Sequence, residues 1–201
     1  MKASYLKGLA FLLILLTANL SVLAQDQSIR FLDVGEFSDY SDFRTWDIFQ
    51  DSRGFIWIGT MSGMDRWDGS RFRNYTMPPF DSLGFPATAV QSFAEDDQNN
   101  LWLGARLQGL IKYDLENEQY ISINNAQGKN PGSNFTCLKY DKSGFLWVGA
   151  LDGLYRYFPE DNRYEFIQVQ DSLMEVYNAT TLDVMDIEFD TLGIMWISST
   201  W

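Results

Sequence analysis

The chain has 201 residues, a formal net charge of −12, no histidine and a single cysteine, Cys137. So acidic a surface repels phosphate backbones and excludes nucleic acid as a partner, and the lack of histidine excludes Ser-His-Asp and Cys-His catalysis, histidine-held zinc and a phospho-accepting histidine within these residues. Disorder is excluded by 16% aromatic and 46% apolar residues, which need a core, and an internal disulfide by the lone cysteine.

The first element is a secretory signal, expected over residues 1–24. Lys2 and Lys7 form a basic start, Leu9–Leu16 is a continuous apolar run, and Val22-Leu23-Ala24 offers small residues for cleavage after Ala24. Asn19 and Ser21 interrupt the stretch, which argues against a spanning helix of about 20 apolar residues. Residues 25–42 form an N-terminal segment in which Ser28–Leu32 reads as a strand without a blade of its own, one that would complete the last blade of a closed ring.

Residues 43–201 are then repetitive. Trp57, Trp102, Trp147 and Trp196 stand 45, 45 and 49 residues apart, each inside an apolar run. The copies cover about 43–76, 88–123, 135–169 and 182–201. In each, a first strand (Trp46–Gln50, Val90–Glu95, Thr136–Tyr140, Val184–Phe189) ends at an aspartate and a turn. Aspartate bonds its own backbone two residues on and glycine supplies positive φ, so Asp51–Gly54, Asp141–Gly144 and Asp190–Gly193 are predicted hairpin turns. The second copy has Asn99-Asn100 where the glycine stands, and Asn is the next most tolerant of that region.

The second strand carries the tryptophan and does not alternate, as expected of a strand buried on both faces. The glycine behind it (Gly59, Gly104, Gly149) marks a tight bend or a close backbone approach, and Ser198 takes its place in the last copy. A second glycine (Gly63, Gly109, Gly153) opens a third strand, Met64–Trp67, Leu110–Tyr113 or Leu154–Tyr157. More polar fourth strands follow at Arg71–Tyr75, Gln119–Ile123 and Arg163–Val169. Four short strands in about 45 residues predict an all-β fold, a β-propeller of four-stranded antiparallel blades, with about three and a half blades present. An antiparallel sandwich is the other architecture these strands allow.

The stretch Gly54-Phe55-Ile56-Trp57-Ile58-Gly59-Thr60-Met61-Ser62-Gly63-Met64 resembles the two-component regulator propeller repeat, and Gly144–Leu154 does so with Ala150 in place of threonine. The second copy departs by one inserted residue within Arg106–Gln108, the fourth by Ser198-Ser199. WD-repeat propellers fit less well: Trp46-Asp47 and Trp67-Asp68 do not recur, and no Gly-His partner exists. The resemblance implies the periplasmic sensor half of a hybrid two-component receptor. In such receptors propellers precede a membrane helix and a histidine kinase, and they respond to complex polysaccharides. It implies a small-molecule or oligosaccharide ligand, no cofactor, no catalysis by these residues, and membrane contact and homodimerisation only through the longer receptor.

Three copies and part of a fourth cannot close a ring of about four to eight blades, so the sequence reads as part of a longer protein. The Asp-x-x-Gly turns fall at one end of the blades. The connections Met77–Ala87, Asn124–Asn134 and Gln170–Thr181 fall at the other, with the turns between second and third strands. Long, dissimilar loops carry recognition, so Arg106, Gln108 and Asp152 are candidate ligand contacts, with Tyr177 and Phe85 as stacking platforms. The repeated aspartates stand a blade apart and form no calcium loop. An exported propeller enzyme and a structural or adhesive propeller are the alternative readings.

Overall fold

The computed structural model describes residues 41–42, 44–75, 89–106, 108–123, 126–129, 131, 135–169 and 182–200, all within the compact unit Val34–Trp201. The signal segment, Ser28–Leu32, Met77–Ala87, Phe85 and Tyr177 lie outside them. The described residues form strands and turns only. Blade 1 is β1 (Thr45–Gln50), β2 (Ile56–Thr60), β3 (Gly63–Trp67) and β4 (Phe72–Tyr75). Blade 2 is β5 (Val90–Glu95), β6 (Leu101–Ala105), β7 (Gly109–Asp114) and β8 (Gln119–Ser122). Blade 3 is β9 (Phe135–Tyr140), β10 (Leu146–Ala150), β11 (Gly153–Phe158) and β12 (Arg163–Ile167), and blade 4 has β13 (Asp183–Phe189) and β14 (Met195–Thr200). Within each blade the strands pair antiparallel in chain order. The third strands begin on their glycine, one residue earlier than the pattern suggested. The fourth strands are shorter than expected, because pairing to the third strand ends at Phe72, Ser122 and Ile167.

The turn after each first strand is built by its aspartate. Asp51 Oδ1 accepts the N–H groups of Arg53 (3.0 Å) and Phe55 (2.9 Å), and Gly54 has φ +89°. In blade 2 Asn99 takes that conformation at φ +61°, as a small amide side chain can. The aspartate does more than turn the chain: its second oxygen accepts the tryptophan indole N–H in every copy. The distances are 2.9 Å for Asp51–Trp57, 3.1 Å for Asp96–Trp102, 2.7 Å for Asp141–Trp147 and 3.2 Å for Asp190–Trp196. Across the sheet the residue opposite the tryptophan is basic, and Arg66, Lys112 and Arg156 lie over the rings of Trp57, Trp102 and Trp147.

Blades pack face to face: blades 2 and 3 bury Trp57 and Trp102 of the blade before, and Trp147, against the two described strands of blade 4, is half-buried. Trp57, Met64 and Tyr75 meet Val90, Phe93, Leu103 and Tyr113 of blade 2. Ala94, Trp102 and Leu110 meet Phe135, Leu138 and Tyr157 of blade 3. Cys137 and Leu154, with Trp147 beside them, meet Val184 and Ile187 of blade 4. The glycine behind the tryptophan permits this approach. A Cβ on Gly59 would come within 2.4 Å of the Val90 carbonyl oxygen in blade 2; one on Gly104 or Gly149 would stand 2.4 Å from Ser92 Oγ or Cys137 Sγ of its own blade, and 3.1 Å from Phe135 or 2.9 Å from Val184 of the next. Burial on both faces, expected of every second strand, holds for β2, β6 and β10 but not for β14. The reason is physical: no further blade stands against β14, and the row of blades stays open among the described residues.

Candidate functional site

Two places outside the scaffold offer side chains to a ligand. The first is the end where β6 turns into β7 and β10 into β11. Arg106 is exposed there, its backbone N–H donating to the Ala89 carbonyl at 2.9 Å. Gln108 is half-buried, and its Nε2 has no hydrogen-bond partner among the described residues. Asp152 is half-buried in the equivalent turn of blade 3. Its Oδ2 accepts the Tyr155 hydroxyl at 2.7 Å and its Oδ1 is left without a partner among the described residues. No hydrogen bond joins Asp152 to Arg106 or Gln108 among the described residues. The fold places the three in corresponding turns of neighbouring blades without assembling them into one cluster, and Tyr177 and Phe85 lie outside the described residues.

The second place was not singled out by sequence reasoning. The first strands of all four blades line a hollow of about 730 Å³. Each of these strands carries a β-bulge at the same position, which inserts Trp46, Gln91, Thr136 or Met185, and bulges re-aim side chains. The four inserted residues all line the hollow. Trp46 is half-exposed, its indole N–H directed at Met61 Sδ. The residue after each insertion is Asp47, Ser92, Cys137 or Asp186. Burial pushes the Asp47 carboxyl above its ordinary range, opposed by bonds from the Phe93 and Ile48 N–H groups, and Asp186 adds repulsion. Lys139 pairs with Glu188 and holds that carboxyl below its ordinary range. The Cys137 thiol is pushed up to about 11 by burial, so it is neutral at physiological pH. A polar residue at a fixed offset before the turn aspartate was the available signal; the bulge that turns it to the axis arises from pairing and is invisible in one strand.

The hollow can hold a ligand by hydrogen bonds to carboxylates and by stacking on Trp46. Among the described residues no cluster of Cys, Asp or Glu is set to hold a metal.

Four-stranded antiparallel sheets stacked face to face, with their first strands inward, define a β-propeller. The family described as two component regulator propeller matches residues 41–62 and 84–106. No curated protein sequence matches the chain significantly. Among solved structures, one described as the extracellular domain of a hybrid two component system from B. thetaiotaomicron is 17% identical, with a TM-score of 0.52 over 85% of this chain and 29% of its own. A second, described as the extracellular domain of a one component system from B. thetaiotaomicron, is 21% identical with a TM-score of 0.50, over 78% of this chain and 25% of its own. A gluconolactonase from Xanthomonas campestris is 12% identical, with a TM-score of 0.57 over 87% of this chain and 60% of its own. At these identities the likeness is one of fold. The chain spans about a quarter of the length of the first extracellular domains it matches.

Proposed function

We propose that this chain is part of the exported, ligand-sensing propeller of a two-component signalling receptor, and that its ligand is an oligosaccharide. The observation that carries the reading is the match of two separate copies to the two component regulator propeller family. The polar hollow at the axis and the half-exposed Trp46 support a sugar as ligand, because a sugar ring stacks on an indole while its hydroxyls bond carboxylates and amides. In this reading the ligand binds without being altered, and it biases the receptor by favouring one arrangement of the sensor. The loop end with Arg106, Gln108 and Asp152 sets which sugar enters.

The experiment is a thermal-unfolding screen of the purified chain against neutral and acidic oligosaccharides, followed by calorimetry on any that stabilise it. One class is expected to raise the unfolding temperature, and Trp46→Ala is expected to abolish the rise. Conversion of the sugar by the chain, detected as new reducing ends or eliminated product, would replace the sensor reading with an enzymatic one.

A further inference from the structure

We infer that the hollow lined by the first strands recognises a primary ammonium group, and that the sugar it takes is therefore an amino sugar whose amine is free. The ammonium follows from the hollow itself; that a sugar carries it rests on the oligosaccharide-sensing role proposed for the same site.

The charge of the hollow is one-sided. Asp47, Glu95, Asp186 and Glu188 line it against one base, Lys139, a formal charge of −3. Lys139 is already paired with Glu188, so an acidic ligand would have to break that pair to find its counter-charge. The other acids come from separate blades and act on one another. Burial first, and then repulsion from Asp186, lifts the Asp47 carboxyl, and both acids add to the effect of burial on the Cys137 thiol. Like charges gathered in a hollow with low-dielectric walls draw in a counter-ion.

The hydrogen-bonding capacity is one-sided too. Glu95 uses its two oxygens on the Ser52 N–H and hydroxyl, at 2.7 and 2.9 Å. Asp47 uses its two on the Ile48 and Phe93 N–H groups, at 2.8 and 3.0 Å. Asp186 holds the same place beside the bulge of blade 4. It accepts the Ile187 N–H at 2.9 Å with one oxygen, and the other has no bond among the described residues. Blade 2 leaves further acceptors open. Ser92 is 2% exposed, and its Oγ and the Oε1 of Gln91 are buried without a partner among the described residues. Both residues line the hollow. Buried polar atoms are nearly always bonded, and what these lack is a donor. A primary ammonium brings three N–H donors and a positive charge in one group, whereas a sugar hydroxyl brings one donor and no charge.

Trp46 completes the site. It is 50% exposed in the hollow with its indole N–H directed at Met61 Sδ, so what it offers a ligand is its ring. An aromatic face attracts a cation, and one indole can therefore serve both the ring and the amine of an amino sugar. A bare metal ion fits less well, since no three acids converge to hold one among the described residues.

The test is calorimetry of the full chain with two trisaccharides that differ only at nitrogen: tri-glucosamine, with free amines, and its fully N-acetylated form, with neutral amides. It is run in about 0.15 M salt, which screens the acidic surface. The pH is about 6.5, below the value of an amine such as the α-amino group, so that the sugar amine carries its proton. Tri-glucosamine is expected to bind tighter by about tenfold or more. Asp186→Asn, at an exposed side chain, is expected to remove most of that advantage and to leave affinity for the acetylated form unchanged. Glu160→Gln, which removes an exposed acid outside the hollow, is expected to preserve it. Equal or tighter binding of the acetylated form overturns the inference while keeping the oligosaccharide as ligand. An advantage that Glu160→Gln lowers as much as Asp186→Asn also overturns it, because the attraction would then belong to the surface at large. A plain triamine that binds as tightly as tri-glucosamine would uphold the ammonium site and remove the sugar. Binding of none of the three overturns both.

Discussion

Asp51 Oδ2 accepts the indole N–H of Trp57 at 2.9 Å across the turn that joins β1 to β2, with both side chains buried. One carboxylate thereby closes the hairpin through the Arg53 and Phe55 N–H groups and fixes the ring on which blade 2 packs. The local turn and the long-range interface share a residue, so damage to the turn is felt in the packing.

Asp51→Ala is expected to destabilise the chain by about 3 kcal/mol, since it leaves a buried indole N–H and two turn N–H groups without their charged acceptor. Asp190→Ala removes the same bonds from an exposed tryptophan, whose N–H then bonds water, and is expected to cost markedly less. Urea unfolding of the two variants beside the parent chain checks the ordering, and equal losses would show that the bond does not depend on burial.

Acid is expected to destabilise the fold. Burial pushes the Asp51 carboxyl up, but bonds from Trp57, Arg53 and Phe55 outweigh it and leave the group below its ordinary range. Asp190 is also held down, by the Ile194 N–H first and against the opposing effect of burial. A depressed folded-state value contributes stability that is complete above the unfolded value of about 4 and is lost as pH falls through the folded one. Asp47, raised by burial, works the other way and gains as pH falls. Urea midpoints from neutral pH to about pH 3 should decline, and Asp51→Asn should make the decline shallower. A midpoint that rose on acidification would mean that the Asp47 type of site dominates.

Gly59→Ala is expected to cost about 1–3 kcal/mol by overpacking, because the new methyl would stand 2.4 Å from the Val90 carbonyl oxygen, a backbone atom that cannot rotate away. Circular dichroism melts would register it. A neutral result would show that blades 1 and 2 can separate by more than half an ångström at this point without loss.

The blade was legible because its parts are local. Asp-x-x-Gly, the unbroken apolar run around the tryptophan and the second glycine each span only a few residues, and the turns at Asp51, Asp141 and Asp190 form as their residues dictate. The indole bond could have been read as well, since aspartate precedes tryptophan by six residues in every copy. The lining of the axis could not. Trp46, Gln91, Thr136 and Met185 share no chemistry, and what they share is a bulge defined by hydrogen bonds to a partner strand.

The sequence by itself determined the repeat and the four-strand blade, because propensity and turn chemistry act along the chain. Only the tertiary structure decided which tryptophans are core and which is surface. Trp57 and Trp196 have the same aspartate and the same place on a second strand, yet one is buried and the other exposed. Their difference is made by the neighbouring blade, and burial belongs to the pair of sheets and not to the residue.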